Sequence, residues 1–166
     1  MKRKIMACAA GSLIVLGAAA GYAAVLTQMP GDTNGNCVID GDETLPPEHP
    51  NAKGMHITGG DGFCVMADGS VMYMFGFGNI TGVMPDMAMM EGMLGAELPA
   101  PTIAVDEGDE LYLNLTNVGM MMRPDLFDPH SVHWHGFPQA ASIYDGVPDS
   151  SIAINMGSTL TYYYNV

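Results

Sequence analysis

Two stretches of the chain alternate apolar and polar residues with a period of two, which restricts both stretches to strands. The first is DELYLNLTN (109–117), in which three leucines alternate with Tyr112, Asn114 and Thr116. The second is TLTYYYNV (159–166), whose apolar positions are Leu160, Tyr162, Tyr164 and Val166. Because successive side chains on a strand point to opposite faces, we expect Leu111, Leu113 and Leu115 to point inward and the residues between them outward.

A β-hairpin is predicted in GFCVMADGSVMYMFGF (62–77), where Asp68-Gly69 separates two apolar runs. In the second run, Val71, Tyr73, Phe75 and Phe77 share one face, while Met72 and Met74 cover the other. We therefore expect this strand to be buried on both sides. Short strands are also predicted at 132–136 and 151–155. The only candidate helix, a weak one, is the methionine-rich stretch 84–94. Short strands separated by turn residues predict an all-β sandwich or barrel.

The N-terminus has the layout of a secretory signal peptide, which we assign to residues 1–24. Lys2, Arg3 and Lys4 precede an apolar run, and GYAA (21–24) offers small residues for cleavage. The protein is therefore expected to be exported to the periplasm, the cell surface or the medium. Because the apolar run extends to Leu26, an uncleaved membrane anchor is the alternative.

The mature chain is strongly acidic. Without the leader, only Lys53 and Arg123 remain as basic side chains against 18 acidic ones, so the net charge is 2 − 18 = −16. This charge argues against nucleic acid and anionic membranes as partners and favours cations. An acidic surface that only maintains solubility would explain the charge equally well.

Residues 25–56 form an acidic, proline-rich segment that we interpret as a linker before a domain at 57–166. Within it, DTNGNCVIDGDE (32–43) has the spacing of an EF-hand calcium loop. The candidate ligands are Asp32, Asn34, Asn36, Asp40 and Glu43 at positions 1, 3, 5, 9 and 12, with the Val38 carbonyl at position 7. Cys37 replaces the glycine of position 6, where a left-handed backbone costs other residues about 1–2 kcal/mol. Weak calcium binding and a solvated acidic linker remain open alternatives.

Methionines are frequent, with 16 in the chain, and five of them cluster in MPDMAMMEGM (84–93). These five are Met84, Met87, Met89, Met90 and Met93, and a further MMM follows at 120–122. Thioethers are soft ligands that suit Cu(I), so the cluster is a candidate Cu(I) contact. The alternative is that the methionines fill gaps in the core, as this flexible side chain often does.

The segment HSVHWHGFPQ (130–139) contains three of the five histidines and the only tryptophan. Residues two apart on a strand lie on one side, roughly 6.5–7 Å apart, so His133 and His135 can reach one cavity while Trp134 packs on the other side. Neutral imidazoles suit copper and zinc, although a single H-x-H motif also occurs by chance on surface strands. We interpret His130 as a loop histidine rather than a further ligand. Neither Cys37 nor Cys64 is next to a histidine; they could pair in an oxidising compartment.

Taken in order, PAPTIAVDEGDELYLNLTN, HSVHWHGFPQ, DGVP (145–148) and SIAINMGSTLTYYYNV resemble the first cupredoxin domain of laccase-like multicopper oxidases. The resemblance covers about residues 99–166, with a looser fit from 57. It implies an incomplete cupredoxin-like Greek-key sandwich. It also implies that His133 binds a type 2 copper and His135 a type 3 copper. Asp145 matches an acidic residue beside the trinuclear cluster that assists proton delivery, although a turn-forming Asp-Gly is its simpler interpretation.

The sequence lacks most of what this family needs for catalysis. The family builds its trinuclear cluster from several H-x-H motifs and adds a Cys-His-His site for type 1 copper, whereas this chain has one H-x-H. The last strand also ends at Val166 without a stop signal, so we expect a domain that is cut short and inactive alone. The complete enzyme, with its remaining cupredoxin domains, would oxidise a phenol, Cu(I), Fe(II) or Mn(II) and reduce dioxygen to water.

Two further interpretations of the same residues stay open. In one, the chain is a non-enzymatic periplasmic copper-binding protein that uses the methionines and the His133/His135 pair. In the other, it is a surface β-domain whose assembly depends on the calcium loop and which has no redox chemistry.

Overall fold

The computed structural model describes residues 28–136, 141–147 and 149–166, so the predicted signal peptide lies outside the described part. The described residues form four strands: β1 (Ala52–Val65), β2 (Val71–Asn79), β3 (Glu110–Gly119) and β4 (Thr159–Asn165). They make one sheet in the order β2-β1-β3-β4, in which only the β1–β3 pair is parallel. Helical structure in these residues is limited to the turn α1 (Ala88–Glu91) and 3₁₀ turns at Pro85–Met87 and Ser142–Tyr144. The all-β prediction is confirmed.

The predicted hairpin forms between β1 and β2. Its turn is closed by the Gly69 N–H, which donates to the Met66 carbonyl at 2.8 Å. The expectation that β2 is buried on both sides is wrong, because Val71, Met72 and Phe75 are 65%, 40% and 50% exposed. In the described sheet β2 is an edge strand: it pairs along its length with β1, and its other edge makes one isolated bridge, between Phe77 and Glu97.

One side of the sheet, here called the core face, carries the main hydrophobic core. Its buried members come from three strands: Ile57 of β1, Leu111, Leu113 and Leu115 of β3, and Tyr162 and Tyr164 of β4. The register places Ile57 opposite Leu115, and Leu115 opposite Leu160. The predicted inward leucines of β3 and the predicted apolar face of the last strand are therefore confirmed.

Irregular segments, rather than a second regular sheet, cover the core face. The stretches 132–136 and 151–155, which we expected to be strands, form no regular strand, and one isolated bridge, His130–Ile154, joins the two segments. Val132 and Ile154 nevertheless join the core cluster, and Trp134 packs against it as predicted. This second layer of the sandwich is therefore held against the sheet mainly by side-chain packing, because within the described residues it forms only one isolated bridge between strand-like segments.

The opposite side of the sheet, here called the loop face, is also covered. Tyr112 and Thr116, which we expected to point outward into solvent, are only 5% and 2% exposed. The acidic N-terminal segment folds over Tyr112, with which its Met29, Ile39 and Leu45 pack in a cluster. The Asn114 amide also donates to Cys37 Sγ at 3.0 Å. The expectation of an outward, solvated face is therefore wrong, because a sequence period cannot show that a distant segment covers that face.

Strand β1 begins at Ala52, inside the range that the sequence assigns to the linker. Its first residues pair with β3, from Ala52 opposite Glu110 to His56 opposite Asn114. The acidic segment is therefore continuous with the sheet rather than a detached appendage.

Unfolding is expected to depend on pH through His56 of the loop face. Its side chain is 2% exposed, its Nε2 lies 2.7 Å from Thr116 Oγ1, and burial lowers its pKa from 6.5 to about 4. The unfolded chain therefore binds the proton more tightly. Stability is complete above the unfolded pKa and falls as the pH drops toward 4, by at most about 1.4 kcal/mol per pH unit.

Urea unfolding at about pH 7 and about pH 5 would measure this dependence in the native chain and in His56→Gln. The variant should lose less stability on acidification than the native chain. Equal losses in the two chains would contradict the assignment to His56.

Candidate metal centre

The H-W-H motif directs two imidazoles to one side of the backbone. The ring centroids of His133 and His135 are 5.1 Å apart with an interplanar angle of 67°. The His133 side chain is 41% exposed, and His135 is also exposed. Trp134 between them turns the other way and packs edge-on against Tyr164, with centroids 5.5 Å apart. The indole thus anchors the segment in the core while both imidazoles face solvent.

Local backbone geometry explains where this arrangement starts and stops. Val132 is buried, and its N–H donates to the Tyr162 hydroxyl at 3.4 Å, which attaches the start of the histidine motif to the core face. Gly136 has φ +76°, a left-handed conformation that favours glycine, so the chain turns immediately after His135. Residues 137–140, which include the last three residues of HSVHWHGFPQ, lie outside the described part of the chain.

Asp145 lies beside His133, but its main contact comes from the backbone. Nδ1 of His133 is 2.7 Å from the Asp145 carbonyl oxygen and 3.5 Å from the carboxylate Oδ1. A carbonyl oxygen can only accept, so Nδ1 must donate, and a neutral ring then keeps its lone pair on Nε2. His133 therefore has one nitrogen available for a metal, and neutral imidazole nitrogen suits copper.

The donor set in the described residues is incomplete for a metal ion. Across residues 28–136, 141–147 and 149–166, no three His, Cys, Asp or Glu side chains converge in a group that could hold one. Two imidazoles on one side are chemically suitable as part of a copper site, which needs further ligands from elsewhere. The two described cysteines, Cys37 and Cys64, are free thiols and lie away from this motif in the chain.

His130 does not join the two exposed imidazoles. Its ring lies against Gly59 of β1, so closely that a Cβ at Gly59 would be 2.6 Å from the ring Cδ2. Burial lowers the pKa of His130, although the charge of Asp128 opposes this effect. His130 is therefore placed as a packed loop histidine, in agreement with the sequence interpretation.

The methionine-rich stretch presents its thioethers to solvent. Met84, Met87, Met90 and Met93 are 45%, 37%, 65% and 41% exposed. They are spaced three residues apart along and just beyond the 3₁₀ and α turns, in which Ala88 is buried. Met89 is half-buried. Four of the five methionines are thus not core fillers.

The candidate calcium loop is closed by its own carboxylates. Asp32, 4% exposed, accepts hydrogen bonds from the N–H groups of Gly35 at 2.6 Å and Cys37 at 2.8 Å. Glu43 Oε1 accepts from the Thr33 hydroxyl at 2.6 Å and N–H at 2.8 Å, and these bonds lower the pKa of Glu43. Cys37 has φ +67°, the left-handed conformation that position 6 requires.

The remaining candidate ligands of this loop are also engaged internally. The Asn34 and Asn36 amides donate to the Asp40 carboxylate at 3.4 and 3.0 Å, and the Asn36 side-chain oxygen accepts from the Val38 N–H at 2.8 Å. Position 6 of the loop thus has the backbone conformation that an EF-hand loop needs, but the side-chain oxygens of the loop bind its own donors.

Sequence reasoning missed the small polar residues that hold Asp145 beside His133. The Gly146 N–H donates to Ser151 Oγ at 2.7 Å, and the Ser131 hydroxyl donates to the Gly146 carbonyl at 3.1 Å. Serines are common in loops, and nothing in their spacing distinguishes these two from solvated ones.

Comparisons with known proteins agree on one family. A family model described as multicopper oxidase matches residues 83–166, about half of the chain. Laccase-2 of Botryotinia fuckeliana is 39% identical over 69 residues, which cover 40% of this chain and 11% of that protein. Multicopper oxidase MmcO of Mycobacterium tuberculosis is 35% identical over 72 residues, 43% of this chain and 13% of that protein. The matched part of this chain thus spans only a small fraction of either relative.

A solved structure is also similar. The crystal structure of a blue copper oxidase from Nitrosomonas europaea has 28% sequence identity and a TM-score of 0.49, and the similarity covers 69% of this chain and 29% of that one.

Proposed function

Because the chain belongs to the multicopper oxidase family, we propose that it is the copper-binding N-terminal part of an exported oxidase, with His133 and His135 as copper ligands. The observation that carries this proposal is the pair of solvent-facing imidazoles with ring centroids 5.1 Å apart. The hydrogen bond at Nδ1 of His133 supports it, because metal-binding histidines usually donate their second ring nitrogen to a carbonyl or carboxylate.

The proposed reaction couples one-electron oxidation of a phenol or of Cu(I), Fe(II) or Mn(II) to the reduction of dioxygen to water. Copper, when bound, would supply the one-electron redox chemistry that no amino-acid side chain provides. In this chain, His133 would contribute to a type 2 centre and His135 to a type 3 centre, and further cupredoxin domains would supply the remaining ligands. The Asp145 carboxylate, 3.5 Å from His133 Nδ1, would hold a proton near the site at Oδ1.

Copper titration of the purified chain tests this proposal. The native chain should bind Cu(II) with nitrogen hyperfine structure in its electron paramagnetic resonance spectrum. The double variant His133→Ala/His135→Ala should lose that signal and bind Cu(II) more than about 100-fold less tightly. Loss of a residue that only hydrogen-bonds to a metal ligand already lowers metal affinity by about 10–100-fold. His49→Ala is the matched control, since the His49 side chain is 40% exposed and His133 is 41% exposed. Equal Cu(II) binding by the double variant and the control would refute the proposal.

We also propose that Met84, Met87, Met90 and Met93 contact Cu(I), with Met89 as a less accessible fifth residue. The support is their shared exposure, because a soft cation from solvent can reach all four thioethers. Replacing these four methionines by leucine preserves apolar character and should weaken Cu(I) binding in competition with a chromophoric chelator. Cu(II) binding at His133 and His135 should be unchanged.

Calcium binding by residues 32–43 is a separate proposal. It is supported by the left-handed backbone of Cys37 and by the burial of Asp32 at the first position of the loop. Binding requires Glu43 to exchange its bonds with Thr33 for the cation. Calcium should raise the thermal midpoint of the native chain and leave that of Glu43→Gln unchanged. No change in the native chain at millimolar calcium would reject the site.

We propose export because residues 1–24 have the layout of a signal peptide. The exposed thioethers and imidazoles, as proposed copper ligands, suit an oxidase outside the cytoplasm. Within the described residues, no helix is long and apolar enough to cross a membrane.

A further inference from the structure

The peptide group between Asp145 and Gly146 is hydrogen-bonded to His133 on one side and to Ser151 on the other. Its carbonyl oxygen accepts the hydrogen bond from His133 Nδ1 at 2.7 Å, and its N–H donates to Ser151 Oγ at 2.7 Å. A trans peptide group is planar, so its C=O and N–H point in opposite directions and rotate together. The bond to Ser151 therefore fixes the direction in which the Asp145 carbonyl faces His133.

The Ser151 hydroxyl uses its hydrogen in a bond to another group, so its oxygen can accept the Gly146 N–H. It donates to the Ile143 carbonyl at 3.0 Å, and the Ile143 carbonyl also accepts from the Ile152 N–H at 2.8 Å. Donation thus runs in one direction, from His133 to Asp145, from Gly146 to Ser151, and from Ser151 to Ile143. Hydrogen bonds that run in series polarise and strengthen one another.

Gly146 allows this peptide group to approach the histidine strand. It has φ +77°, and a Cβ at this position would lie 2.3 Å from the Val132 carbonyl oxygen and 2.9 Å from the His133 nitrogen. On the other side, the Ser131 hydroxyl donates to the Gly146 carbonyl at 3.1 Å. That carbonyl belongs to the next peptide group, so Ser131 holds Gly146 itself in place. The close approach of Gly146 to Val132 and His133 keeps the Asp145–Gly146 peptide group against the residue whose ring it binds.

We propose that Ser151 is a positioning residue for His133: through the Asp145–Gly146 peptide group it keeps the imidazole proton on Nδ1 and presents Nε2 to the metal. The identity of the metal as copper rests on the proposed function. The orientation and tautomer of the ring do not, because they arise from hydrogen bonds within the metal-free chain.

The test measures the His133 tautomer in the purified, metal-free chain by long-range ¹H–¹⁵N correlation, at a pH where the ring is neutral. The native chain should show mainly the Nδ1–H tautomer. In Ser151→Ala the ratio of Nδ1–H to Nε2–H should fall several-fold, up to about tenfold, as expected when one hydrogen bond that orients the acceptor is lost. Ser151→Thr retains the hydroxyl and should restore the native ratio.

Ser150→Ala is the matched control, because Ser150 is exposed and its hydroxyl donates only to the Val147 carbonyl, at 3.4 Å. It should leave the tautomer ratio unchanged. A ratio that is the same in Ser151→Ala and the native chain would overturn the proposal. So would a native chain in which Nε2–H predominates, and this result does not depend on whether any variant folds.

Cu(II) titration of the same chains separates this inference from the proposed function. If Ser151 positions the ligand, Ser151→Ala should bind Cu(II) more weakly, within the range of about 10–100-fold for loss of an outer partner, and Ser151→Thr should recover the affinity. A native chain with the expected tautomer that binds no Cu(II) would reject the copper assignment and leave the role of Ser151 in orienting the ring intact.

Discussion

Replacing Asn117 by leucine is expected to lower the free energy of unfolding by about 2–5 kcal/mol. Asn117 is fully buried at the end of β3, and its amide donates to the carbonyls of Asp128 and Ile154, each at 2.9 Å. Its side-chain oxygen accepts from the Gly119 N–H at 2.9 Å. Leucine has similar volume but leaves these buried groups without the side-chain partner, and each such group costs about 1–3 kcal/mol.

The same substitution should also weaken Cu(II) binding, because Asn117 attaches the sheet to the segments before and after the histidine motif. Urea unfolding gives the stability change, provided that the slope with denaturant stays constant. Asn155→Leu is the control, since Asn155 is exposed and its replacement should change stability by no more than about 0.5 kcal/mol. Equal effects at the two positions would mean that the Asn117 hydrogen bonds contribute little.

The sequence predicted the core face of β3 correctly, and in the described sheet β3 has a neighbouring strand on each side. In β3, the three leucines at alternate positions all lie on the core face, because the pattern there matches the burial that neighbouring strands impose. The turn at Asp68-Gly69 was predictable for a local reason: Gly69 has φ +84°, and the Asp68 carboxylate accepts from the Ser70 N–H at 2.9 Å.

Features that depend on distant segments could not be predicted in the same way. The apolar pattern of β2 predicted burial, but the position of a strand at a sheet edge is a property of topology and not of its own residues. The burial of Tyr112 likewise requires the segment that contains Met29, Ile39 and Leu45 to fold back over the sheet. A period of two residues shows which side chains share a face; it does not show what covers that face.

In the candidate metal centre, too, local spacing predicted some features, whereas a contact with a distant segment could not be predicted. The i, i+2 spacing predicted that His133 and His135 share a side, and the alternation predicted that Trp134 packs opposite. The sequence also singled out Asp145, but for its carboxylate, whereas the shorter contact to His133 is made by its carbonyl. Every residue has a carbonyl, so no residue type could have indicated this contact.

Truncating Leu113 to alanine is expected to destabilise the fold by about 2–5 kcal/mol. Leu113 is 0% exposed and lies on β3 between Met55 of β1 and Tyr162 of β4. Because hydrogen-bonded strands hold the backbone on both sides, neighbouring side chains can close the resulting cavity only partly, and its lining loses dispersion contacts. Leu98→Ala makes the same chemical change at a side chain that is 59% exposed and should cost no more than about 0.5 kcal/mol. If urea unfolding showed less than about 1 kcal/mol for Leu113→Ala, the core face would have to be loosely packed, and the sheet could not hold Trp134 and its two flanking imidazoles in a fixed position.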